Sequence, residues 1–487
     1  MTQAAATAAT VADPRRWKAL AVLGVAYLMV VLDVSIVNVA LPSIQTDLGF
    51  TTEDLQWVVS GYALTFGGFL LLGGRAGDLL GRRLFFMLGL GLFLVTSLLA
   101  GLSTSSEMLI VARLLQGAAG AILAPSVFSI VTVTFAEGAE RNKALGILGG
   151  IAGSGAAIGV LLGGVFTSYI SWEWIFFVNI PIAAITLALV PRYVRESRAD
   201  GLTRHFDSLG AVTVTSSLVL LVFGLTQANR VGWGSAQTIG VFIASAVLMA
   251  VFLWNETRSR SPLVPLSIFK RRTLTGANVV GFGLGTMIFG MFFLLSLYMQ
   301  QVLGFSAMET GLGYLAVALT VVVAAAISQG LVTKLGVKPV LVTGMALLTV
   351  GLVYFSQVSV NGSYAVDLLP GFLIIGVGMG FSFVPISIAA LAGVQGPEAG
   401  LASGLINTSQ QIGGALGLAL LTTVATTRTT NLAGDAAPTA GDLTSGFSLA
   451  FWVAAGFAVA SLITTIAVLR QRDIPAIGAE PAPVPAG

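Results

Sequence analysis

Fourteen separate runs of mostly apolar residues dominate this chain, each about as long as the roughly 20 residues an α-helix needs to cross a bilayer. They fall near 18–41, 55–73, 84–103, 107–132, 143–168, 173–191, 208–227, 236–254, 274–299, 310–333, 339–358, 365–390, 400–426 and 446–469. Inside hydrocarbon every backbone amide and carbonyl must be satisfied within its own segment, so such runs are helical. Charged residues make up only 9% of the chain, against about 25% in a soluble domain. Almost all of the protein is therefore membrane-embedded.

The placement of basic residues tests this division. Alternate loops and tails hold 21 of the 24 lysines and arginines, the opposite face holds Arg230 and Arg428, and Arg113 lies within a run. A missed or invented span would scramble that asymmetry, and the basic side is the cytoplasmic one. The expectation is fourteen spans with both termini cytoplasmic. Nineteen arginines against five lysines, with abundant alanine and glycine, point to a GC-rich bacterial genome and a bacterial cytoplasmic membrane.

The two halves echo each other. Gly146, Gly155 and Gly159 recur 258 residues later as Gly404, Gly413 and Gly417, and Gly117, Gly120 and Pro125 resemble Gly376, Gly380 and Pro385. Spans 1–6 thus match spans 9–14, with an extra hairpin between them. The expected organisation is a tail over 1–17, a six-helix bundle over 18–191, a linker plus two-helix hairpin over 192–272, a second bundle over 273–470 and a tail over 471–487. Parallel six-helix halves with a site between them describe a secondary transporter. One histidine and no cysteine leave no zinc or thiol site, and no nucleotide-binding loop or nucleophile–histidine set appears. An enzyme is not expected, and neither is any cofactor beyond protons as the coupling ion.

Particular residues sharpen the reading. Gly73 to Arg83 reads as a glycine-rich loop at a membrane face, carrying Asp78 with Arg75, Arg82 and Arg83. Span 1 holds Leu32-Asp33-Val34-Ser35-Ile36-Val37-Asn38-Val39-Ala40-Leu41-Pro42, and span 4 holds Arg113-Leu114-Leu115-Gln116-Gly117 with Pro125. Trp172 to Pro181 opens span 6. With fourteen spans, these segments resemble the major facilitator superfamily, specifically its fourteen-helix drug:proton antiporters of the QacA/EmrB type. The resemblance implies an all-α membrane fold arranged 6+2+6 and proton-coupled export of hydrophobic or amphipathic small molecules. In that family the first-helix acid is tied to proton coupling and the fourth-helix arginine to that acid, which here means Asp33 and Arg113. One departure stands in the fifth-helix antiporter motif, where Val160 occupies the usual proline position.

The physics of the residues agrees. Asp33 and Arg113 lie at similar depth, roughly 12 Å and 9 Å from the outer face at 1.5 Å per residue. Burial favours the neutral carboxyl and a guanidinium favours its anion, so the two together make a group able to exchange a proton. A static ion pair fixing helix packing is the competing reading. Gly74, Arg75, Gly77, Asp78, Gly81 and Arg82 are expected to form a conformational latch, with Asp78 docking on the start of span 13 and Arg75 or Arg82 reaching Glu137 or Glu140. Asn38, Tyr62, Gln116, Met287, Met291, Asn407, Gln410 and Gln411 are candidates for a substrate cavity. The expected partners are the lipid bilayer, protons and a hydrophobic or cationic small molecule, without nucleic acid and with a monomer as the working unit. Two other roles compete: export of a lipid, metabolite or self-made antibiotic, and a proton-translocating subunit of a redox complex.

Overall fold

The computed structural model describes residues 14–135, 139–198, 207–259, 262–392 and 398–470. The first half comprises α1 (Arg16–Leu48), α2 (Thr52–Leu55), α3 (Trp57–Leu80), α4 (Arg82–Gly101), α5 (Ser106–Thr134), α6 (Ala139–Tyr169), α7 (Trp174–Phe177) and α8 (Asn179–Tyr193). A hairpin of α9 (Ser208–Val231) and α10 (Ala236–Arg258) follows. The second half comprises α11 (Arg272–Leu297), α12 (Ala307–Leu335), α13 (Val337–Phe355), α14 (Leu369–Leu391), α15 (Glu398–Ala433) and α16 (Ala440–Val468). No strand occurs among the described residues.

Among the described residues, thirteen stretches are long and apolar enough to cross a membrane, with α2 and α3 read together and α7 and α8 likewise. The long helix α15 is less apolar because Asn407, Thr408, Ser409, Gln410 and Gln411 interrupt it. Helix starts are set by hydroxyl caps. Ser105, Ser235, Ser306 and Thr439 each accept from the amide three residues on, and Ser306–Glu309 and Thr439–Asp442 close full capping boxes.

The internal repeat is physical. α6 packs along α1 and α15 packs along α11. At Gly159 an added Cβ would come within 1.9 Å of Ser35 Oγ, and at its repeat partner Gly417 within 2.4 Å of Thr286 Cγ2. Small residues let spanning helices approach this closely. α6 continues unbroken through Val160, where the antiporter motif ordinarily carries proline.

Bonds between the halves cluster at one end. Gln300 Nε2 donates to Val39 O (3.0 Å), Gln301 Nε2 to Gln45 Oε1 (2.8 Å), and the Met308 amide to Ser168 Oγ (2.9 Å). Ser296 donates to Asn38 O in the same region. These residues lie toward the end opposite Arg82, Arg83, Lys334 and Lys338. Toward the basic end, Gly146, Gly149 and Gly150 of α6 meet nothing. One bond lies midway, where Thr408 Oγ1 donates to Gly67 O (3.2 Å) as α15 crosses α3. The α9–α10 hairpin covers that crossing: Leu218 and Val222 share a core cluster with Leu64 of α3 and Ala415 of α15.

Candidate functional site

Asp33 sits midway along α1 and is fully enclosed. Arg113 on α5 is equally buried, and its Nη1 donates to Asp33 Oδ2 at 2.6 Å. The predicted pair therefore forms. The same Nη1 donates to Gln116 Oε1 (2.6 Å), while Nε donates to the Val58 carbonyl (2.8 Å). The guanidinium lies over the Tyr62 ring, 4.5 Å from its centroid, with Phe176 at 5.6 Å. Such stacking suits a planar cation taken out of water.

The carboxylate gathers further donors. Gln116 Nε2 reaches Asp33 Oδ1 at 2.8 Å and Asn179 Nδ2 reaches the same oxygen at 3.0 Å. Ser97 Oγ accepts from Gln116 (2.9 Å) and Asn179 (3.4 Å). Three side chains therefore converge on one carboxyl group. The cluster draws on α1, α3, α4, α5, α7 and α8, so it lies inside the first half and not on the wall between the halves.

Tyr62 and Gln116, expected at a substrate cavity, pack here in the Asp33–Arg113 cluster. The Tyr62 hydroxyl is buried and finds no hydrogen-bond partner among the described residues. Asn179 and Ser97 escaped sequence reading. Asn179 had a signal, an amide inside the quoted Trp172–Pro181 segment; Ser97 had none.

The other cavity candidates divide. Met287 and Met291 are 1% exposed and packed in the main core. Asn38 is almost buried, with Nδ2 bonded to Val34 O (3.1 Å). Asn407 is exposed, Gln410 is half-buried against α11, and Gln411 packs on Gly67 with its Oε1 buried and unbonded. Ser403 and Asn407, four apart, present polar groups outward from the same face of α15. Asn407 Nδ2 donates to the Ser403 carbonyl at 3.0 Å.

Residues 73–80 correct one expectation. They continue α3 rather than form a loop, and the chain turns at Gly81 alone. Gly74 packs on Pro125 and Gly77 on Ser126 and Phe85. Arg82 Nε pairs with Asp78 Oδ1 at 2.7 Å, and Ser129 Oγ donates to the same oxygen at 2.6 Å. Asp78 is thus engaged within the first half. Arg75 is half-buried on α3. Glu140 pairs with Arg16 (2.8 Å) rather than with Arg75 or Arg82; Glu137 lies outside the described residues.

Comparison with known proteins decides the family. The model of the Major Facilitator Superfamily matches residues 23–418. The chain belongs to the Major Facilitator Superfamily. Among its superfamily relatives, the puromycin resistance protein pur8 of Streptomyces alboniger is 36% identical, the match covering 93% of this chain and 90% of that one. The cephamycin export protein CmcT of Amycolatopsis lactamdurans is also 36% identical, over 94% of each. The fold resembles the crystal structure of the peptide transporter POT in complex with sulfate at TM-score 0.67 and 15% identity, over 94% of this chain and 96% of that one. As a superfamily member the protein is a multi-pass membrane transporter of small molecules and not an enzyme, which sets aside the redox-subunit alternative.

Proposed function

We propose that this protein exports amphipathic, antibiotic-like molecules across a bacterial plasma membrane in exchange for protons. In this reading the chain crosses the membrane fourteen times in a 6+2+6 arrangement, α15 included, with both termini and the basic end in the cytoplasm. Relatives named for puromycin resistance and cephamycin export support the substrate class. The observation that carries proton coupling is the enclosed Asp33–Arg113 pair with its ring of neutral donors.

The cycle follows from where the contacts lie. With the outer end closed and Asp33 held as an anion, the protein faces the cytoplasm and accepts substrate. Asn38, which joins the outer closure, lies five residues beyond Asp33 on α1, roughly 7.5 Å away at 1.5 Å per residue. When the cytoplasmic end closes, the Asp78–Arg82 region meets the start of α15 and latches it. Once substrate has left from the outward-open state, a proton from outside neutralises Asp33 and weakens its hold on α5 and α8. α1 carries that change to the seam, the outer end closes again, and release of the proton to the cytoplasm restores the anion for the next substrate. One proton moving down about 150 mV supplies roughly 3.5 kcal/mol, enough for about 300-fold accumulation.

Inverted membrane vesicles test the proposal with a chemically diverse panel that includes puromycin and a cephamycin. Uptake should need an acid interior and collapse with a protonophore. Asp33→Asn should abolish gradient-driven uptake while leaving folded protein in the membrane. Uptake by that variant at the wild-type rate, still sensitive to the gradient, would remove Asp33 from the mechanism.

A further inference from the structure

Four arginines line one cleft at the basic end of the first half. The cleft, about 230 Å³, is walled by Arg15 ahead of α1, Arg83 in the first turn of α4, and Arg192 and Arg195 around the end of α8. One acid, Glu196, shares it. Setting topology requires only that basic residues lie on one side of the membrane. It does not require three separate chain segments to bring theirs to one place.

Two of the four side chains are held against the backbone of the α8 end. Arg15 Nη1 donates to Arg192 O and Arg83 Nη1 to Val194 O, each at 3.4 Å, and the Arg82 amide donates to Ser197 O at 3.0 Å. Glu196 offsets one of the four positive charges. Its two oxygens accept from the Arg83 and Leu84 amides (3.0 and 3.1 Å) at the start of α4, and its distance to Arg83 Nε is 3.9 Å. Like charges gathered in one cleft repel one another, and an anion relieves that repulsion.

We infer that this cleft binds a phosphate group, carried by an anionic phospholipid of the adjoining leaflet. Guanidinium forks match phosphate oxygens in pairs, and basic pockets between spanning helices on the cytoplasmic side take anionic headgroups. The depth agrees. The walls are the ends of three spanning helices, and Trp17 and Tyr193, close by in sequence, are amphipathic rings of the kind found at headgroup level. An occupant would tie the ends of α1, α4 and α8 together beside the Gly81 turn.

The test uses the full chain in phosphatidylcholine nanodiscs titrated with phosphatidylglycerol, read by native mass spectrometry and thermal unfolding. A retained phosphatidylglycerol adduct and a raised melting temperature are expected. Arg192→Gln with Arg195→Gln should weaken binding about tenfold, in line with losing charge-assisted hydrogen bonds. Lys334→Gln with Arg470→Gln, the same charge loss on the second half, should leave it nearly unchanged. Arg192→Lys with Arg195→Lys keeps the charge that sets topology but loses the fork, so an intermediate loss is expected. Equal weakening by the two glutamine pairs, or no adduct with the wild type, overturns the site. Inorganic phosphate binding as tightly as the lipid overturns the lipid assignment in favour of a soluble anion.

Discussion

Ser296 donates its hydroxyl to the main-chain carbonyl of Asn38, and the two residues stand 258 positions apart. That offset also relates Gly155 to Gly413 and Gly159 to Gly417. A residue touching its own repeat-equivalent lies close to the axis that relates the halves. The closure at this end is therefore built along that axis, and the bonds of Gln300 and Gln301 extend it.

Locking that closure should stop transport. The chain has no cysteine, so Gln45→Cys with Gln301→Cys introduces the only thiols, at side chains that touch at 2.8 Å. Oxidation or a short dithiol cross-linker should join them and abolish export, and reductant should restore it. Undiminished transport by fully cross-linked protein would mean that this contact never opens during the cycle.

The Arg16–Glu140 pair gives a pH prediction. The hydrogen bond from Arg16 holds the Glu140 carboxyl below its ordinary range. A depressed folded-state value means that the pair's contribution is complete above the ordinary glutamate pKa of about 4.3 and is lost as pH falls through the lower folded value. The difference in thermal stability between wild type and Glu140→Gln should therefore stay constant from about pH 6 to 8 and shrink only below about pH 4. A difference that changes across the neutral range would point to another partner.

The helices and the Asp33–Arg113 pair were legible in the sequence because hydrocarbon enforces both: long apolar runs must be helical, and a buried acid needs a cation. Internal repetition likewise marked the close crossings of α1 with α6 and α11 with α15. Side-chain direction was not legible. Tyr62 and Gln116 are polar residues within spans whether they face a cavity or a buried ion pair, and only packing decides. Met287 and Met291 are adaptable in either setting. Met291 stands 258 residues after Asp33, so the second half puts a buried thioether where the first carries its acid. Glycines in 73–81 suggested a loop because glycine also serves close helix packing, which is its role at Gly73, where an added Cβ would come 2.4 Å from Ala121 O.

Gly81 is the one residue of that segment whose backbone excludes a side chain. Its φ is +135°, and an added Cβ would stand 3.0 Å from the Glu196 carboxyl. Gly81→Ala should cost about 1–3 kcal/mol, the range for strained backbone, and displace Glu196 from the start of α4. Thermal unfolding of the purified protein should show the loss. Gly91, which meets nothing within 4 Å, serves as the control, and Gly91→Ala should be neutral or slightly stabilising because alanine is the better helix former.

A double substitution separates a coupling pair from a static one. Arg113→Met alone leaves Asp33 buried without its cation, and breaking a buried pair in this way costs about 3–5 kcal/mol. Combining it with Asp33→Asn removes both charges, so much of that loss should be recovered, since residues in direct contact do not act additively. Stability and transport should then part company. If the pair only fixes packing, the neutral double variant exports like wild type once it folds. If Asp33 takes up and releases the coupling proton, the double variant is folded, binds substrate and shows no response to a pH gradient. The enclosure of Asp33 by six helical segments favours the second outcome. A purely structural role would be met as well by an apolar pair, as the second half shows with Met291 packed at 1% exposure.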